Sequence, residues 1–126
     1  MKKYTKILCV DFDGVLHSYK TGWHGPRIVA DAPVPGAIDW LRTMIYSHDF
    51  VVCIYSSRSK QWGGKRAMKG WLNAHGLSNE ELALIKFPTK KPAAFLTIDD
   101  RAICFDGNFP SIDELLNFKP WNKREV

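Results

Sequence analysis

Asp11 and Asp13 close an apolar run that reads ILCVDFDG from Ile7 to Gly14. Two carboxylates about 4 Å apart repel by roughly 4 kcal/mol at an effective dielectric near 20. A second acidic pair, Asp99 and Asp100, closes another apolar run, AAFLTIDD. A third run, FVVCIY from Phe50 to Tyr55, passes into Ser56, Ser57 and Arg58. Each cluster alone also fits a turn or a helix cap. Together they place four carboxylates, two hydroxyls and cations at the ends of apolar segments. Carboxylates gathered in one crevice call for a cation, and oxygen-only ligands select a hard one, Mg²⁺ being the usual choice beside phosphate.

The elements that must position these groups alternate along the chain. Ile7–Phe12 reads as a buried strand. Gly14–Pro35 is a polar excursion containing Gly, Pro and His. Pro35-Gly36 opens a helical pattern with Ala37, Trp40, Leu41, Met44 and Ile45 on one face. Phe50–Tyr55 reads as a second strand, and Lys60–His75 as an amphipathic helix with Gly76 beyond its end. Leu82–Phe87 and Ala94–Ile98 read as further strands, Ala102–Phe105 as a short extra one, and Ile112–Asn117 as a last short helix. Strand–helix alternation predicts an α/β fold, a mainly parallel sheet with helices on both faces. In such sheets the functional crevice lies beyond the carboxyl ends of the strands, where all three clusters would converge.

The 126 residues predict one domain, with an ordinary core from 45% hydrophobic and 25% charged residues. The net charge of +5 favours anionic partners such as phosphates or nucleic acid. Cys9, Cys53 and Cys104 lie in apolar runs without CxxC spacing, which predicts buried thiols and a cytoplasmic location rather than disulfides or zinc. Lys2 and Lys3 precede an apolar stretch too short for a signal peptide or a membrane span, so no membrane partner is expected.

The four polar segments resemble, in order, the motifs of the haloacid dehalogenase superfamily, specifically its phosphatases. CVDFDGVL is similar to the first motif, an apolar strand ending in Asp-x-Asp-Gly. VVCIYSSRS is similar to the second through Ser56, with Ser57 as the neighbouring alternative. KKPAAF carries the lysine of the third at Lys91, with Lys90 as the rival. LTIDDRA is similar to the fourth through Asp99 and Asp100. The resemblance spans residues 7 to 102 and implies a three-layer sandwich around a Rossmann-like sheet. It further implies Asp11 as a nucleophile forming an aspartyl-phosphate, and Asp13 as general acid and then base. Ser56 and Lys91 would hold the phosphoryl group. Mg²⁺ would be held by Asp11, Asp99, Asp100 and the backbone carbonyl of Asp13.

Family members commonly carry a cap domain, for which neither Gly14–Pro35 nor the Ser56–Lys91 interval has room. A small, capless phosphatase is therefore expected, a monomer or small homo-oligomer with an open site. Its substrate would be a phosphate monoester, with a nucleotide or nucleic-acid end favoured by the basic charge. Trp23, Arg27, Ser57 and Arg58 are the expected substrate-binding residues, Trp23 and Arg27 within a flap that also carries His17, Lys20 and His24, and Ser57 and Arg58 after the second strand. Two other readings fit less well. A receiver-like signalling domain would carry its acidic pair on the first strand and its phosphoacceptor on a middle one. A catalytically weak phosphate- or nucleic-acid-binding module would not need every catalytic position filled.

Overall fold

The structure is a computed structural model and describes residues 6–124; Lys2 and Lys3 lie outside the described residues. Three parallel strands form the sheet in the order β2-β1-β3, with β1 at Lys6–Val10, β2 at Phe50–Ile54 and β3 at Leu96–Ile98. Leu8 stands opposite Val52 on one side and Leu96 on the other, and Val10 opposite Ile54 and Ile98. That register brings the carboxyl ends of all three strands to one edge. β1 therefore stops at Val10 rather than Phe12, but its pairing carries on locally: the Asp11 N–H donates to the Ile98 carbonyl at 2.9 Å.

The helices are α1 at Ala37–Tyr46, α2 at Gly64–Ala74, α3 at Asn79–Leu82 and α4 at Ile112–Leu116. A 3₁₀ turn at Ser57–Lys60 precedes α2. Side chains alternate across a strand, so Leu8, Val10, Val52 and Ile54 share one face. They join Ala37 and Leu41 of α1 and Met68, Trp71 and Leu72 of α2 in one core cluster. Cys9, Cys53 and Thr97 lie on the other face. Of the helices, α1 and α2 share this cluster, while α4 buries no residue.

Two expected strands do not form. Ser78 and Glu81 make a reciprocal capping box that turns Asn79–Leu82 into α3, and this takes Leu82 out of the Leu82–Phe87 run. What remains is one bridge, Lys86 beside Cys53, bonded to Val52 and Ile54. Ala102–Phe105 is irregular and exposed, and β3 keeps the sheet edge. Cys9 and Cys53 are buried as expected, and burial pushes both thiols up. Cys104 is exposed, contrary to expectation, because the strand that would have buried it is absent. Among the described residues no helix is long and apolar enough to cross a membrane.

The expected flap is a hairpin. Ser18 donates to Ala32 and Val34 to Leu16, pairing its base, and residues 19–31 form the loop over the strand ends. No domain-sized insertion separates Asp13 from α1 or Ser56 from Lys91 among the described residues.

Candidate active-site cleft

The strand ends open into a cleft of about 600 Å³. Asp11, Asp13, Ser56, Ser57, Lys91, Asp99, Asp100 and the flap residue Trp23 all line it. Of the two candidate lysines, Lys91 lines the cleft and Lys90 does not.

Asp11, Asp99 and Asp100 each bring a carboxylate oxygen to within 4.8 Å of the others. Strand pairing causes this: Asp11 follows β1 and the two others follow β3, its parallel neighbour. Gly14 completes the approach. Its φ of +84° suits glycine, and the Asp100 carboxylate occupies the space a Cβ at position 14 would need. Burial pushes the Asp11 carboxyl up to about 8, helped by a hydrogen bond with Asp100 and by the charges of Asp99 and Asp100. The Phe12 N–H, donating to Asp11 Oδ1 at 2.8 Å, opposes this rise only in part. A cation bound by the three oxygens would relieve the repulsion among them. An all-oxygen donor set of this charge fits a hard divalent ion.

Asp13 has a different environment. Its carboxylate is not part of that cluster. It accepts from Arg58 Nε at 2.9 Å and Nη2 at 3.1 Å, and pairs with His17 Nδ1 at 2.8 Å. The backbone N–H of Asp31 donates to His17 Nε2 at 3.0 Å. An N–H can only donate, so Nε2 is the acceptor and Nδ1 carries the proton given to Asp13. Burial alone would raise the Asp13 carboxyl, but the bonds from His17 and Arg58 outweigh it and hold the group below the usual carboxylate range. The two aspartates of one motif are thus pushed in opposite directions.

Ser56 is buried and caps the 3₁₀ turn, its Oγ accepting from the Arg58 N–H at 3.2 Å. A hydroxyl that accepts still has its own proton to donate into the cleft. Ser57 is exposed beside it. Lys91 is exposed and takes part in no ion pair among the described residues.

Two residues expected at the cleft do not line it. Arg58 is fully buried and does not line the cleft. Its Nη1 donates to the carbonyls of Gly25, Pro26 and Ile28 at 2.9–3.1 Å, so the guanidinium ties the flap to Asp13. Trp23 lies over the same guanidinium, 4.8 Å from ring centroid to carbon. Arg27 points away from the cleft and lies over the Trp62 ring at 4.9 Å. His17, expected at the surface of the flap, is instead the buried partner of Asp13. Its spacing of four from Asp13 was the available signal. Tyr19, Lys20, Arg101 and Lys123 also line the cleft. Trp121 donates from Nε1 to the Gly14 carbonyl at 2.8 Å.

Comparison with protein-family models, with curated proteins and with solved structures found no match for this chain.

Proposed function

We propose that the cleft hydrolyses a phosphate monoester by way of an aspartyl-phosphate on Asp11, as a phosphatase of the haloacid dehalogenase type. The observation that carries this reading is the convergence of Asp11, Asp99 and Asp100 to within 4.8 Å at adjoining parallel strand ends. Ser56 and Lys91 line the same cleft. Asp11, Asp99 and Asp100 would hold Mg²⁺. The ion would supply charge neutralisation for a phosphoryl group and keep the Asp11 carboxylate ionised.

In this reading Asp11 attacks phosphorus and the ester oxygen leaves. Asp13, hydrogen-bonded to His17 Nδ1–H and the Arg58 guanidinium, is fixed in position beside it. It delivers a proton to the leaving oxygen, and afterwards takes one from the water that cleaves the acyl phosphate. The bonds from His17 and Arg58 favour the ionised form of Asp13, the form that can take a proton in the second step. The approach of a dianionic ester raises its proton affinity for the first. Ser56 Oγ–H and Lys91 Nζ would bind phosphoryl oxygens. The finer fold belongs to the same proposal: a three-layer sandwich whose second helical layer would come from the segment after Asp100. That segment carries the exposed side chains of Ile103, Phe105, Phe109, Ile112 and Leu116.

Turnover of an aryl phosphate tests the proposal. It should require Mg²⁺, stop in chelator and be lost in Asp11→Asn with the fold retained. Equal turnover in chelator or in that variant removes the mechanism.

A further inference from the structure

A second groove of about 710 Å³ lies across the Ser57–Lys60 turn from the cleft. Arg27, Gln61, Trp62, Lys65, Arg66 and Thr89 line it, and no carboxylate does. From Phe50 to Asn79 the chain carries Arg58, Lys60, Lys65, Arg66 and Lys69 and no acidic residue. Among the described residues none of Arg27, Lys65 and Arg66 takes part in an ion pair. Three cations kept close without a counter-charge repel one another, and an anion in the groove would relieve that.

Trp62 is 80% exposed, so its indole adds almost nothing to the core. Its ring is held beside the cations by Arg27, whose aliphatic carbons pack where a Cβ on Gly63 would come within 2.7 Å. An exposed, oriented ring among unpaired cations matches a ligand that offers both a planar π-face and repeated anionic groups. A single nucleic-acid strand offers both. A duplex hides its bases, and an acidic peptide has charge but no extended planar face.

Groove and cleft share their walls. In the flap, Trp23 lines the cleft and Arg27 the groove; in the turn, Ser57 lines the cleft and Ser59 the groove. We propose that the groove binds single-stranded nucleic acid, with a base stacked on Trp62 and backbone phosphates on Arg27, Lys65 and Arg66. A strand whose terminal phosphate enters the cleft continues over the turn into this groove. That the strand is the substrate rests on the phosphatase reading; that the groove binds it does not.

Fluorescence anisotropy of a labelled oligothymidylate lacking terminal phosphates tests the binding on the full chain. The oligothymidylate should bind, and Kd should rise on the order of ten-fold between about 50 and 200 mM salt. Lys65→Glu with Arg66→Glu should weaken Kd at least ten-fold, and Trp62→Ala about ten-fold, while aryl phosphate turnover is unchanged in both. Unaltered Kd in both variants, salt-insensitive binding, or tighter binding of labelled polyglutamate than of oligothymidylate would overturn the groove assignment. Oligothymidylate binding by a chain that turns over no phosphate ester would sink the phosphatase reading and leave the groove standing. Turnover without such binding would do the reverse.

Discussion

Arg58 Nε donates to Asp13 Oδ2 at 2.9 Å while Nη1 of the same guanidinium reaches three carbonyls of the flap. One fully buried side chain thus fixes both the second aspartate of the motif and the loop above it. Removing one partner of a buried pair leaves the other charge uncompensated, at a cost of about 3–5 kcal/mol. Arg58→Met should lose stability in that range by chemical denaturation. Arg58→Lys should recover little of it, since an ammonium lacks the planar fork that reaches Asp13 and the carbonyls together. A loss below about 1 kcal/mol in Arg58→Met would contradict the role of Arg58 as the tie between flap and motif.

Asp11 predicts an unusual pH response. Its carboxyl rises from the ordinary 3.8 to about 8 on folding. Between those values the unfolded chain has released a proton that the folded chain keeps, so stability contributed by this group falls as pH rises through the window. In chelator at pH 8, Asp11→Asn should therefore be more stable than the parent by on the order of a few kcal/mol. Mg²⁺ should raise the melting temperature of the parent and not of the variant. Thermal melts across the window, with and without metal, check both statements.

Glu81 gives the opposite slope. Hydrogen bonds from Arg42, whose Nε donates at 2.8 Å, and from the Ser78 N–H lower its carboxyl from 4.5 to about 2. Its contribution is complete above pH 4.5 and is lost as pH falls toward 2. Glu81→Gln should melt at a lower temperature than the parent at neutral pH. The two curves should converge near pH 2. Parallel curves down to that pH would mean the pair adds nothing to the acid limb.

Much of the cleft was legible because it rests on local patterns. Apolar runs that end in Asp11, Ser56 and Asp99 announce strands, and parallel pairing does the rest. Arg58 was misread because its fate depends on carbonyls of residues 25–28, some thirty positions away, and no local spacing encodes that contact. Arg27 lies outside the cleft for a similar reason, since its side chain packs against Gly63 and lies over the Trp62 ring, some thirty-five positions away. The Leu82–Phe87 strand was lost to a signal that was present: Ser78-Asn-Glu-Glu81 carries the capping-box spacing, and a helix start there takes Leu82. Ala102–Phe105 has strand-forming residues but no ladder partner beside it.

The central claim is that Asp11 becomes covalently phosphorylated. Chain mixed with aryl phosphate and Mg²⁺, quenched in acid and reduced with borohydride, reads this directly, because hydride converts an acyl phosphate to the alcohol. Mass spectrometry should then find Asp11 reduced to homoserine in the peptide containing Phe12 and Asp13, with no reduction in Asp11→Asn. Steady hydrolysis of the ester with Asp11 unreduced, or reduction at another carboxylate, would contradict the account.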